Sequence, residues 1–230
     1  DPAQTAEGET ALTLAAKRGD TELSRLLAAR QNVSQAVERA TALLAKQSEN
    51  FIRIGGCNSC HGQDLVSAAA ALARGRGIPA PKAIAQLTEL QRGASAERLM
   101  DFTAIGPGSV AWELFDFGMN RVPRNDYTDS VAHYLKATQS AEGHWHTAET
   151  RRPPMSSGEI QTAALSIFAL KHYAPGARAE IARAAAWLAS AAPRHTQDHA
   201  FRLLGLIWAG GDAAVIQNAA RALTSLQRPD

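Results

Sequence analysis

Apolar residues recur at helical spacing through most of this chain, and no segment offers a period-two alternation. Val33, Val37, Ala40 and Leu44 fall on one helix face. So do Ile160, Ala163, Ile167 and Leu170, then Ile181, Ala184, Leu188 and Ala191, then Val215, Ala219, Leu223 and Leu226. Breaks rich in Gly and Pro separate these runs: RGRGIPAPK (74–82), IGPGS (105–109), NRVPRND (120–126), RRPPMSSGE (151–159), YAPGA (173–177) and AGGD (209–212). Alanine and leucine, which lose little side-chain entropy in a helix, dominate the chain. The spacing of the breaks predicts an all-α protein of roughly ten or more helices. With 230 residues, 45% of them hydrophobic, the chain can bury a substantial core.

Charge and hydropathy exclude several function classes. Net charge is +2 with no Lys/Arg block, so no nucleic-acid partner is implied. The longest apolar runs, such as AAAWLASAA, are too short to span a bilayer. No Gly-x-Ser-x-Gly elbow and no phosphate-binding loop is present. The opening DPAQTAEGETAL has neither a charged n-region nor an apolar h-region, so an export leader would lie upstream.

Residues 8–30, GETALTLAAKRGDTELSRLLAAR, carry Gly8, Thr10, Leu12, Ala15, Ala16, Gly19, Leu26 and Leu27. That skeleton resembles an ankyrin repeat, although the usual Thr-Pro-Leu-His reads Thr10-Ala11-Leu12-Thr13. A single repeat cannot bury its own apolar face, so residues 1–31 are expected to be the end of a longer array, offering a surface to a protein partner. A helical hairpin that imitates the pattern is the alternative.

Further on, the segment QSAEGHW places Gln139, Gly143 and Trp145 at Gln-x(3)-Gly-x-Trp spacing. This resembles the repeat motif of squalene–hopene cyclases and related prenyltransferase-like proteins. The resemblance covers residues 32–230 and implies helical hairpins in an α/α-toroid-like array. It also implies that Gln139 caps a neighbouring helix with Trp145 packed on it, and that Gln47 does the same one repeat earlier. The cyclase chemistry does not follow. No Asp-x-Asp-Asp acid exists among Asp116, Asp126 and Asp129, and 6% aromatics make a poor carbocation lining. Trp112, Trp145, Trp187 and Trp208 read as packing residues, and no catalytic residue is assigned.

Both cysteines of the chain lie in GGCNSCHGQDL, residues 55–65. Cys-x-x-Cys-His is the attachment signature of c-type haem: two thiols reach two vinyl groups on one porphyrin edge, and the next residue lies under the iron. The stretch resembles the haem site of c-type cytochromes, which implies one covalent haem c per chain. Cys57 and Cys60 would be the thioether links and His61 the proximal iron ligand. A zinc site, which wants four ligands, a redox dithiol, which wants a βαβ context, and a chance pair of thiols are the rival readings. For the sixth iron position the candidates are Met119, His144, His146 and Met155, with Met100 and His133 behind them. A resemblance of FGMNRVP to the stretch before the last helix of small cytochromes favours Met119, and equivalence of repeat loops favours His146, His144 or Met155. Arg151 and Arg152 are candidates to pair with haem propionates. The expected function is electron transfer, or redox or small-ligand sensing, with a redox partner protein and a periplasmic or otherwise exported location. The alternatives are a haem-free ankyrin/toroid interaction scaffold and, further off, a terpenoid cyclase or prenyltransferase relative.

Overall fold

The structure, a computed structural model, describes residues 5–6, 9–55, 60–82, 106–147 and 158–228. Among the described residues, nine α-helices and one π-helical turn hold about three quarters of the positions. The strands form one two-residue antiparallel ladder, β1 (Thr5–Ala6) with β2 (Glu9–Thr10). The helices are α1 (Ala11–Lys17), α2 (Thr21–Gly55), α3 (Leu65–Gly75), α4 (Pro107–Met119), α5 (Asp126–Thr138), α6 (Glu159–Tyr173), α7 (Arg178–Ser190), α8 (Thr196–Ala209) and α9 (Ala213–Thr224). The π turn, Cys60–Asp64, runs directly into α3. No helix among the described residues is long and apolar enough to cross a membrane.

Local chemistry accounts for the helix ends. Thr10 caps α1 and Thr13 bonds back to it, a capping box built at the position where the sequence departs from the ankyrin pattern. Asn125 and Thr128 do the same for α5, with both bonds at 2.9 Å. Asp212 receives the Ala214 and Val215 amides at the start of α9. Pro107 opens α4, and Gly210 closes α8 in the left-handed conformation at φ 72°.

The largest core is gathered around α6. Every residue from Ile160 to Leu170 is buried, and Ala163, Ala164, Leu165, Ile167, Ala169 and Leu170 are fully so. A helix apolar on every side needs cover on every side, and α4, α5, α7 and α8 supply it. Connections of a few residues join α6 to α7, α7 to α8 and α8 to α9, which makes each pair a helical hairpin. Aromatic rings interlock where α4, α6 and α8 meet: Phe115 lies 4.9 Å from Phe168 and 5.8 Å from Trp208, and Trp112 meets Phe201 edge-on at 6.1 Å.

In α2 most of the expected apolar stripe faces solvent, with Val37 half-buried. Val33 and Leu44 are exposed, while Thr41, Ala45 and Ser48 are buried. Small residues on that second face let α3 and the π turn approach closely, with Ala45 against Val66. The helix also runs unbroken for 35 residues, through the expected boundary between residues 31 and 32. α1 packs on α2, and so do the π turn and α3.

Substituting Gly205 by Ala tests the closeness of α8 to α6. A Cβ there would lie 2.5 Å from Leu188 Cδ1 and 3.0 Å from the Ala164 Cα, and that backbone atom cannot swing aside. The expected cost is about 1–3 kcal/mol, read as a lower denaturant midpoint with an unchanged m-value.

Candidate functional site

Two regions hold the residues singled out by the sequence. The first is the end of the cysteine motif. From Cys60 the backbone is helical, and the π turn Cys60–Asp64 sets the entry to α3. Turns of this kind are rare and are frequent at functional sites. Ser48 ties the π turn to α2: its Oγ donates to the Gly62 carbonyl, and the Gln63 side-chain amide donates to the Ser48 carbonyl at 3.0 Å. Gln63 and Asp64 are both buried. Gln47, expected to make the tie, is exposed; α2 continues eight residues past it to Gly55, so no loop begins there for it to clasp. Cys57, Arg151, Arg152, Met155 and Met100 lie outside the described residues.

A polar hub joins α3 to the end of α4. Asn120 donates to Ser67 Oγ at 3.0 Å and to Asp116 Oδ1 at 2.7 Å, and receives Arg74 at 2.6 Å. Burial pulls the Arg74 guanidinium below its ordinary range, against the opposing pull of Asp116. Met119, half-buried, is the neighbour of Asn120 and the last residue of α4.

The second region is the loop after α5. Gln139 leaves the helix in extended conformation and donates its amide to the Gly143 and Glu180 carbonyls, both at 2.9 Å. Arg183 of α7 donates to the Gln139 carbonyl oxygen at 2.7 Å. Trp145 is fully buried and its indole N–H donates to the Leu135 carbonyl at 2.7 Å. Gly143 sits at φ 102°, and a Cβ there would meet the Arg183 carbonyl oxygen at 2.5 Å.

This clasp delivers His144 and His146 to the start of α6. His144 is buried and stacks on Trp187 of α7, centroids 4.7 Å apart and planes 16° from parallel. Its Nδ1 meets Ser140 Oγ at 3.0 Å. Its Nε2 faces Glu159 Oε2 at 3.6 Å, while Nδ1 of the exposed His146 lies 3.3 Å from Glu159 Oε1. Among the described residues this trio is the one cluster of three or more metal-ligating side chains, with ligand atoms all within 4.8 Å of one another. Nearby Glu142 has its carboxyl held below the ordinary range, first by its own backbone N–H and then by the Ser140 hydroxyl, with His144 and His146 adding to the effect. Sequence reading singled out both histidines and missed Glu159, whose only signal is an acidic residue opening a helix after Gly158.

Comparison with known proteins returned no matching family model, no matching curated protein and no matching solved structure.

Gly143→Ala tests the clasp. The substitution brings both a strained φ and a backbone collision, and is expected to cost at least about 2 kcal/mol, seen as a lower thermal midpoint. Near-ultraviolet circular dichroism of the same variant should also lose part of the tryptophan signal, as Trp145 and Trp187 shift.

Proposed function

We propose that this chain is a monohaem c-type cytochrome domain serving electron transfer, or redox or small-ligand sensing, rather than an enzyme. The carrying observation is the donor set itself: Cys57-Asn58-Ser59-Cys60-His61 presents two thiols and an imidazole at the spacing that haem c attachment requires. The surroundings support it. A helical turn that begins at Cys60, pinned to α2 through Ser48 and buried through Gln63 and Asp64, gives a covalent cofactor a rigid seat. When bound, the haem supplies a one-electron couple; the chain's own residues hold it in place and set its surroundings.

For the sixth position we favour Met119, because its neighbour Asn120 is bonded to Ser67, near the start of the helix that follows the motif. The ring partners of His144 and His146 come instead from Glu159 and Trp187, in α6 and α7. We further read the hairpins α4–α9 as an α/α-toroid-like array, supported by the Gln139, Gly143 and Trp145 ties, and α1 with the start of α2 as an ankyrin-like end that meets a protein partner. Covalent haem attachment places the protein in the periplasm or another exported compartment.

A haem-free interaction scaffold is the second reading. It draws on the apolar residues left exposed along α2, among them Leu26, Val33, Leu43, Leu44 and Ile54.

Expression with haem-maturation machinery and a pyridine haemochrome assay separates the two. The first reading expects one haem per chain, lost in the Cys57→Ala/Cys60→Ala variant; absence of a Soret band in the parent protein would favour the scaffold. Met119→Ala should keep the covalent haem and lose the methionine–iron charge-transfer band, whereas His146→Ala should keep both.

A further inference from the structure

The trio at the α5–α6 loop goes beyond the haem reading and does not depend on it. We infer that His144, His146 and Glu159 form a binding site for one divalent ion of the zinc class, with solvent in the fourth position.

Distances separate this from an ordinary histidine–carboxylate pair. A charge-assisted N–H···O⁻ bond is about 2.7–2.9 Å long. Two ligand atoms on a tetrahedral zinc, with metal bonds of about 2.0–2.2 Å, lie roughly 3.3–3.6 Å apart. The two His–Glu separations are 3.6 and 3.3 Å. Both are longer than that charge-assisted bond, the 3.3 Å contact of His146 being a long hydrogen bond, and both fall at the coordination edge, each through a different Glu159 oxygen. Two imidazoles and a carboxylate are also a donor set that borderline cations of this size prefer, and three protein ligands leave one position open.

A chain of partners behind His144 prepares it for a metal. Ser140 Oγ accepts the His144 backbone N–H at 3.3 Å and lies 3.0 Å from Nδ1 of the ring. In the tautomer that carries its proton on Nδ1 this oxygen accepts it, and the Nε2 lone pair is directed toward Glu159. Zinc-bound histidines are oriented in this way by a partner on the far nitrogen. Trp187 stacked on the ring fixes the remaining rotation. Glu159 is set by the first turn of the buried α6. His146, with 75% of its side chain exposed, completes the site from the solvent side.

The test is a titration of the full-length chain with Zn²⁺ against a chromophoric chelator. Cys57 and Cys60 are first occupied by haem or, where haem is absent, alkylated, so that the thiols cannot bind. The expected result is one Zn²⁺ per chain and a thermal midpoint raised by the ion. His146→Ala and Glu159→Gln change exposed or half-exposed side chains, so folding, checked by far-ultraviolet circular dichroism, should persist. Each is expected to weaken binding by about 100-fold or more. Ser140→Ala, which removes the partner of the far nitrogen together with its bond from the His144 amide, should weaken it by about 10–100-fold. No stoichiometric binding, or binding equally tight in the folded His146→Ala and Glu159→Gln variants, would overturn the assignment.

Discussion

From Ile160 to Leu170 helix α6 has no solvent face, and the packing around it follows from that. Each large side chain along it, such as Leu165, Ile167 and Leu170, contributes about 1.5–3 kcal/mol only while neighbours cover it. The neighbours come from both sides in sequence: α4 and α5 before it, α7 and α8 after. Alanines 163, 164 and 169 and the facing Gly205 keep the helices close enough for the rings of Phe115, Phe168 and Trp208 to meet. The same helix begins with Glu159, so the most deeply packed element also fixes the carboxylate that faces His144 and His146.

Gln139 acts at the next level. Its amide and carbonyl oxygen tie three backbone or side-chain groups, and two of these belong to α7. Only a glycine can follow at position 143, because the loop there presses on the Arg183 carbonyl in a left-handed conformation. Once the loop is held, consecutive residues serve separate purposes. Trp145 goes into the core, and His144 lies against Trp187 with its Nε2 facing Glu159. Packing and ligand placement thus share one short segment.

Much of the fold could be read from the residues, because helical periodicity and Gly/Pro breaks act locally. The faces Ile160–Leu170 and Ile181–Leu188 do point into the core, and the caps at Asn125 and Asp212 are ordinary helix chemistry. α2 was harder. Its regular apolar stripe is outward, and its buried face consists of Thr41, Ala45 and Ser48, which no hydrophobic pattern distinguishes. What matters there is smallness, which counts only once a partner helix is in view. The site divides the same way. His144 and His146 could be named from the sequence because their loop is the repeat equivalent of the cysteine loop. Glu159 lies thirteen residues beyond His146, and Trp187 is in another hairpin, so their convergence is tertiary. Gln47 misled for a related reason: its motif-like position lies inside a continuing helix, and the adjacent Ser48 takes the contact instead.

The unbroken course of α2 has a consequence of its own. A rigid helix advances about 1.5 Å and turns about 100° per residue. α1 and the seat of the cysteine motif are both mounted on this one shaft, so their relative bearing is a matter of helical phase. Lengthening α2 by a single residue would swing one mount about a quarter turn around the axis, while adding seven would return it nearly to its starting bearing and carry it roughly 10 Å along. Evolution can therefore retune the reach of the N-terminal end in steps of seven, without disturbing the direction in which it faces.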